Sequence, residues 1–167
     1  MISPNRQPKS IPLIRLVFAS LIGVSIGYYL YFALDQEKEV KGIICLVIDD
    51  FGFAQNTMVE NFFQLNQNLT VAIIPGTPYA ESIGKYADSL GMETIIHMPM
   101  ESHVKDETVY PVSLNEKLNA DLVEEHIQYA FNEIPSALGM NNHQGSKATE
   151  NLQLMKNVAR TLKKMDK

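Results

Sequence analysis

The sequence predicts an α/β fold with a parallel sheet, preceded by a transmembrane helix at the N-terminus. Three observations support this prediction. A long uncharged run lies near the start of the chain, and short apolar runs then alternate four times with segments of helical periodicity. Polar motifs follow the first, third and fourth of these short runs, where loops at the carboxyl edge of a parallel sheet would lie.

The uncharged run covers residues 16–34 and contains 19 residues without an acidic or basic side chain. As a helix it would be roughly 28 Å long, close to the hydrocarbon thickness of a bilayer. Basic residues stand before it and acidic residues after it: Arg6, Lys9 and Arg15, then Asp35, Glu37 and Glu39. The positive-inside rule therefore predicts a single-pass anchor with residues 1–15 in the cytoplasm and the rest in the periplasm or at the cell surface. Secretion after cleavage of a signal peptide is the alternative, although the run is longer than a typical signal sequence.

A short charged linker, residues 35–41, connects this anchor to an α/β domain, residues 42–167. Of the 14 basic residues in the chain, three precede residue 35, so the remainder carries 11 basic and 19 acidic residues. An acidic domain repels phosphate backbones, and we therefore expect no nucleic-acid partner. The single cysteine, Cys45, excludes an intramolecular disulfide bond.

Within the domain, strands and helices alternate along the chain. The predicted strands are 42–49, 69–74, 92–98 and 136–140, because these runs are apolar or β-branched and end at turn-forming residues. Apolar residues at helical spacing predict helices over 55–65, 79–90, 119–133 and 149–164. The connection 99–118 has no periodicity, and loops of that length are commonly functional or disordered. Four such units supply about half of a closed (β/α) barrel, so the domain is either a small open layer or the front part of a longer barrel.

Asp49 and Asp50 end the first predicted strand. Adjacent strand residues point to opposite faces, but at a strand end the pleat relaxes and both side chains can turn into one site. Two nearby carboxylates repel each other, and a bound cation relieves the repulsion by making one a ligand while the other stays free as a base. The alternative is an ordinary turn, since Asp-Asp-Phe-Gly is common turn composition.

Two histidines follow other strands of the predicted sheet. His97 ends the third strand, and His143 lies in the polar motif 139–146 after the fourth. Pro99 separates His97 from Glu101, which excludes a helical metalloprotease motif. Taken singly, a histidine at a strand end is often structural, and the motif around His143 could be a simple helix-entry loop. Two histidines and one carboxylate together would leave coordination positions open for water and substrate.

Four further polar residues are candidates for contacting substrate or for orienting metal ligands. They are Glu101, Asn141, Asn142 and Ser146. Their carboxylate, amide and hydroxyl groups are of the kind that hydrogen-bond metal ligands from outside the coordination sphere.

At these motifs the sequence resembles the divergent polysaccharide deacetylase family, a branch of the carbohydrate deacetylase superfamily. The matching segments are 48–52, 72–75, 97–101 and 139–146, in this order along the chain. The resemblance implies a distorted (β/α) barrel with a divalent cation, usually zinc. It also implies that Asp49 is the catalytic base and that Asp50, His97 and His143 are metal ligands. Family members continue with further strands and helices, so the resemblance implies a partial (β/α) barrel, incomplete at the C-terminus.

The hypothesis that results is a membrane-anchored, metal-dependent deacetylase acting on N-acetyl groups of an envelope polysaccharide or a peptidoglycan-like glycan. The main alternative is a non-catalytic envelope protein that retains the fold and binds glycan or a partner. Metal-dependent phosphoester hydrolysis is disfavoured, because the acidic domain has no basic clamp for phosphate. An incomplete barrel would expose a strand edge, so we also expect self-association of residues 42–167. The apolar residues expected at that surface are Leu152, Met155, Ala159 and Leu162 of the last helix.

Overall fold

The structure is a computed structural model that describes residues 12–34, 42–65, 67–104 and 108–167. The chain divides into two compact units, one ending at Ile43 and the other running from Ile44 to Lys167. The predicted linker 35–41 and most of the predicted cytoplasmic segment lie outside the described residues. The predicted domain bounds therefore stay predictions.

The first unit contains the helix α1, Leu13–Leu34. It begins three residues before the uncharged run and includes Arg15 in its first turn. Within the described residues it is one helix with the length and composition of a membrane span, and a signal sequence would have the same properties. The predicted apolar N-terminal helix is thus confirmed, while its orientation and its cleavage stay predictions.

The second unit is built on a four-stranded parallel sheet with the strand order β1-β2-β3-β4 within the described residues. The strands are β1 (Leu46–Phe51), β2 (Leu69–Ile73), β3 (Glu93–Met100) and β4 (Ala137–Gln144). The helices of this unit are α2 (Thr57–Phe63), α3 (Ala80–Ser89), α4 (Ala120–Glu133) and α5 (Leu152–Lys164), with a short 3₁₀ helix at Ala148–Glu150. The predicted α/β fold with a parallel sheet is confirmed.

The last strand is longer than the sequence predicted. β4 continues through Gln144 rather than ending at Met140, because its polar residues pair in register with β3. His97 lies opposite Asn141 in this register, and Pro99 lies opposite His143. Paired residues of neighbouring strands lie on the same face of a sheet, so the polar motif that looked like a loop is strand backbone carrying site residues.

The hydrophobic core lies between one face of the sheet and the helices. The buried residues that form it include Val71, Ile73, Ile96 and Met98 from the inner strands, Ile83 and Ala87 from α3, and Val123 and Ile127 from α4. Side chains alternate between the two faces of a strand, so His97, between Ile96 and Met98, faces away from this core. Asn141 and His143, which pair with His97 and Pro99, lie on this same face, opposite the helices, whereas Asn142 pairs with Met98.

The four residues of α5 that we expected at an exposed surface lie outside the buried side of this helix. Leu154, Asn157, Val158 and Thr161 are buried, whereas Leu152 is 67% exposed and Leu162 packs only partly against the core. The neighbouring helix α4 decides which side is covered, and that side includes polar Asn157, whose Oδ1 accepts a hydrogen bond from Gln153 Nε2 at 3.1 Å. The apolar stripe of α5 is thus not its main packing face, which agrees with its expected place at the surface. Self-association through this surface stays a prediction.

Candidate metal centre

The two carboxylates of the first motif lie at a bulge in β1. The pairing of β1 with β2 slips between Ile48 and Phe51, so β1 carries an extra residue there. Asp50 has a φ of 67°, a left-handed conformation that non-glycine residues seldom adopt. With this backbone, Asp49 Oδ1 lies 3.8 Å from His97 Nδ1, and Asp50 Oδ1 lies 3.2 Å from His97 Nε2. From the sequence we expected the pleat to relax at this strand end, and in the structure the bulge does this.

Gly52 allows the chain to leave the bulge. Its φ is 125°, and a Cβ atom at this position would overlap the hydroxyl oxygen of Thr77. That hydroxyl donates to the Ile74 carbonyl at 2.7 Å, and the Gly52 carbonyl accepts from the Tyr79 amide at 2.9 Å. The close approach of the segment after β2 therefore explains why glycine ends this motif.

Three predicted ligands from three strands meet at the carboxyl edge of the sheet. Asp50, His97 and His143 each offer one ligand atom, and these atoms lie within 4.8 Å of one another. Asp50 Oδ1 is 3.2 Å from His97 Nε2 and 3.0 Å from His143 Nδ1. The His97 side chain is only 5% exposed, whereas that of Asp50 is 65% exposed. The group is thus closed on the histidine side and open to solvent on the aspartate side.

Asn141 determines which nitrogen of His97 can bind a cation. The amide Nδ2 of Asn141 donates to Asp49 Oδ1 at 3.1 Å, and its Oδ1 lies 2.7 Å from His97 Nδ1. An amide oxygen only accepts, so neutral His97 carries its proton on Nδ1 and has a lone pair on Nε2. That lone pair faces Asp50 Oδ1, and a cation between the two atoms would remove their repulsion. The donor set therefore fits a divalent cation, whose identity the geometry leaves open.

Asn142 and Ser146, two other predicted residues, shape the backbone around the site. Asn142 Nδ2 donates to the carbonyl of Gln144 at 2.6 Å, across the end of β4. Ser146 Oγ accepts from the amide of His103 at 3.0 Å and lies 3.1 Å from Ser102 Oγ. The contacts of Ser146 join the turn after β4 to the connection after β3. Direct contact of the two side chains with substrate or with a ligand stays a prediction.

Glu101 belongs to a separate charged group. Lys147 Nζ lies 2.8 Å from Glu101 Oε1 and 2.8 Å from Glu116 Oε1, and the Glu116 amide donates to Glu101 Oε2 at 3.2 Å. The hydrogen bond from Lys147 holds the pKa of Glu101 below its usual value. In return, the two carboxylates raise the pKa of Lys147 to about 12. Glu101 therefore ties the long connection to the turn after β4, and its role toward substrate stays a prediction.

Tyr110 contacts the site although the sequence analysis did not single it out. Its hydroxyl oxygen is 2.9 Å from His143 Nε2, and the two rings meet edge to face with centroids 5.4 Å apart. Tyr110 lies in the connection 99–118, whose unusual length was a signal of function but did not point to any one residue.

Comparison with known proteins identifies relatives of this chain. Residues 46–167 match the family model described as divergent polysaccharide deacetylase. The chain is 31% identical over 150 residues to the uncharacterized protein YibQ of Escherichia coli K12. The aligned segment covers 89% of this chain and 43% of that protein. It is 34% identical over 143 residues to an uncharacterized protein of Haemophilus influenzae. This alignment covers 86% of this chain and 49% of the Haemophilus protein. The chain therefore spans somewhat less than half the length of these curated relatives.

A solved structure is similar in fold. The crystal structure of an uncharacterized protein from Agrobacterium tumefaciens C58 matches with a TM-score of 0.62 at 17% identity, over 70% of this chain and 48% of that chain. At this level of identity the likeness shows the fold alone, an α/β fold with a parallel sheet. Because the family model covers most of the chain, from β1 to the last residue, the chain belongs to the divergent polysaccharide deacetylase family.

Proposed function

We propose that this protein is a zinc-dependent hydrolase that removes N-acetyl groups from an envelope polysaccharide or a peptidoglycan-like glycan. The observation that carries the proposal is the convergence of Asp50 Oδ1, His97 Nε2 and His143 Nδ1 with a second carboxylate, Asp49, beside them. Family membership supports the reaction class. The relatives are themselves uncharacterized, so the substrate is inferred from the family description.

The three side chains fit a catalytic metal site better than a structural one. Structural zinc sites are commonly closed by four protein ligands, whereas catalytic sites keep a position for water or substrate. Asp50 is exposed on the side where substrate would enter. When bound here, a divalent cation supplies Lewis acidity toward the acetyl carbonyl and toward water.

Asp49 is the proposed general base. Its Oδ1 accepts a hydrogen bond from Asn141 at 3.1 Å, which holds the carboxylate beside the metal ligands. The second carboxylate oxygen can then accept the proton that the attacking water releases. The side chain is 47% exposed, so this proton can pass on to the departing amine or to solvent.

A cleft of about 380 Å³ lies beside the metal site and supports a glycan as substrate; its walls include Gln144, next to His143 in the chain, but none of the three ligands. Tyr110, which contacts His143, forms part of its wall, and polar side chains such as Ser102, Asn115 and Gln144 also line it. A sugar ring offers both hydroxyl groups and an apolar face, so a cleft that combines polar groups with an aromatic wall is suited to it.

The helix α1 supports a location in the cell envelope. Whether it is a membrane anchor, as we propose, or a signal sequence, it would direct the second unit out of the cytoplasm. A phosphatase reporter that is active only outside the cytoplasm, fused after residue 41, tests this orientation. Activity of a cytoplasm-restricted reporter at the same position would contradict it.

The test of the proposed activity is acetate release by the full chain in detergent. The substrates are N-acetylated chito-oligosaccharide and peptidoglycan, and the enzyme is loaded with zinc. Removing the base by Asp49→Asn should lower the rate at least about 100-fold. Asp88→Asn, on the exposed side of α3, is the matched control and should leave the rate unchanged. Equal background rates in wild type and Asp49→Asn would contradict hydrolysis and support the alternative, a non-catalytic protein that binds glycan or a partner.

A further inference from the structure

We propose that Tyr110 is a positioning residue of the metal site, whose hydroxyl group holds His143 in the tautomer that binds a cation through Nδ1. The inference rests on the metal site of the proposed function. It does not depend on the substrate or on the reaction.

The argument begins with the two ring nitrogens of His143. Nε2 lies 2.9 Å from the Tyr110 hydroxyl, and Nδ1 lies 3.0 Å from Asp50 Oδ1. A neutral imidazole has one ring proton, so only one nitrogen offers a lone pair to a metal. With the proton on Nε2, donated to the tyrosine oxygen, Nδ1 can bind a cation shared with Asp50. With the proton on Nδ1, that proton would point at Asp50 Oδ1 and take the place of the cation.

The other histidine is oriented in the same way by a different side chain. Asn141 Oδ1 accepts the ring proton of His97 at 2.7 Å and leaves Nε2 as the ligand atom. Metal-binding histidines usually donate the other ring N–H to an oxygen acceptor, which fixes the tautomer and the ring orientation. A tyrosine hydroxyl can donate or accept, and when a cation takes the lone pair of Nδ1, the proton of neutral His143 is on Nε2 and the Tyr110 oxygen accepts it. The two ligands would then bind through different nitrogens, Nε2 in His97 and Nδ1 in His143.

The ring of Tyr110 is held by packing on two sides. It meets the ring of His143 with centroids 5.4 Å apart and the ring of Phe53 with centroids 6.3 Å apart, in both cases edge to face. Phe53 directly follows the Asp49–Gly52 segment, so Tyr110 joins the connection after β3 to the loop that follows β1 and to the end of β4. A side chain locked by such contacts can position a ligand accurately.

The backbone beside Tyr110 is anchored on the sheet. The next residue, Pro111, packs on Gly76, where an added Cβ would lie 2.9 Å from Pro111 Cγ. Further along, Leu114 is fully buried, and its amide donates to the Pro99 carbonyl of β3 at 2.8 Å. These contacts place Tyr110 at a defined distance from β4, as a positioning residue requires.

The experiment compares zinc affinity in the full chain, purified in detergent, by competition with a chromophoric chelator. Tyr110→Phe keeps the ring and its packing and removes the hydroxyl group alone. We expect its zinc affinity to fall about 10- to 100-fold, the usual cost of losing an outer hydrogen-bond partner of a metal ligand. The matched control is Tyr129→Phe, at a 45% exposed tyrosine of α4, which should bind zinc as the wild type does. Thermal unfolding without zinc should be the same in all three proteins.

A second measurement needs no variant. Proton–nitrogen correlation spectra of zinc-loaded wild type, labelled at histidine, should show His143 protonated at Nε2 and bound through Nδ1. Binding through Nε2, absence of zinc binding in the wild type, or equal zinc affinity in Tyr110→Phe would each overturn the inference. Reduced zinc affinity in Tyr110→Phe with no acetate release by the wild type would support the inference and contradict the proposed function. Acetate release by the wild type, with unchanged zinc affinity in Tyr110→Phe, would contradict the inference and support the proposed function.

Discussion

Two polar clusters at the same edge of the sheet are built on opposite electrostatic principles. The metal cluster consists of Asp50, His97 and His143, and the lysine cluster consists of Glu101, Glu116 and Lys147. In the metal cluster a carboxylate oxygen lies 3.0–3.2 Å from ring nitrogens, one of which, in His97, has only a lone pair to offer. In the lysine cluster an ammonium group lies 2.8 Å from each of two carboxylates. The lysine cluster thus contains its own cation, whereas the metal cluster, as we propose, would be completed by one from solution.

This difference shows that a carboxylate at the end of a strand is not by itself a metal ligand. Asp50 lies near the end of β1 and Glu101 directly follows β3, so both are near the carboxyl edge of the sheet. Lys147, on the turn after β4, reaches Glu101 and neutralises it. The nearest polar neighbours of Asp50 are imidazoles. The neighbour that folding brings to each carboxylate therefore decides whether the carboxylate is available to a cation from solution or joins two segments of the chain.

The largest expected effect is the loss of zinc on removal of a ligand from the metal cluster. His97→Ala and His143→Ala should each weaken zinc binding more than about 100-fold, because even outer partners of a ligand contribute about 10- to 100-fold. Elemental analysis of the purified proteins measures this. His103→Ala is the matched control, since His103 pairs with Glu150 at an exposed position. Full zinc occupancy in both ligand variants would show that the metal cluster is misassigned.

Asn141→Ala should have the next largest effect, about 10- to 100-fold on zinc affinity. The change removes the acceptor of the His97 ring proton and the donor to Asp49. Its neighbour supplies the control, because the side chain of Asn142 bonds to the backbone carbonyl of Gln144 instead. Similar losses in Asn141→Ala and Asn142→Ala would argue for a general disturbance of β4 rather than for positioning of His97.

The third prediction concerns the bulge on which Asp50 depends. Gly52→Ala should lower the free energy of unfolding by about 1–3 kcal/mol, because it combines backbone strain with overlap on Thr77. Gly139→Ala in β4 is the control, since its Cβ would meet nothing within 4 Å. Urea unfolding of the two variants gives the comparison. A Gly52→Ala variant as stable as Gly139→Ala would mean that the bulge tolerates a side chain.

The smallest expected effect lies in the lysine cluster. Because its pKa is lowered in the folded state, Glu101 stabilises the fold above its ordinary pKa of 4.5, and this contribution is lost as the pH falls through the lowered value. Glu101→Gln should lower the unfolding midpoint by at most about 3 °C at pH 7, as expected for a partly exposed ion pair, and the difference should vanish in acid.

The same variant sharpens the contrast between the two clusters. Glu101→Gln should bind zinc with wild-type affinity, since its carboxylate pairs with Lys147. Glu81→Gln removes a more exposed pair with Lys85 on α3 and should change the unfolding midpoint less. Loss of zinc in Glu101→Gln would join the two clusters into one functional site and would break the comparison.

Much of the site could be predicted because its residues follow recognisable strands. Asp49, Asp50, His97 and His143 stand at or near the ends of apolar runs, and the ends of parallel strands meet at one edge of a sheet. The packing face of α5 could not be predicted in the same way. Its apolar spacing picked out Leu152 and Leu162, which we expected at the surface, and did not indicate that Leu154 and Val158 are buried where α5 meets α4.

Tyr110 shows a second limit. It lies in a connection without periodicity, and its contact with His143 spans 33 residues of sequence. That contact depends on the packing of Pro111 against Gly76, which belongs to a different loop. Nothing in the local sequence around Tyr110 indicates this arrangement.

The sequence by itself determined the class of fold, the apolar helix at the N-terminus, the four strands and the identities of the residues that could bind a metal. These features follow from periodicity, turn composition and the order of motifs, all of which are local properties of the chain. Only the tertiary structure decided which carboxylate faces imidazoles and which faces a lysine, which ring nitrogen of His97 is left to bind a cation, and that Tyr110 belongs to the site. Those outcomes depend on contacts between segments far apart in sequence, and their distances of about 3 Å are set by how the strands, the bulge and the connecting loops pack together.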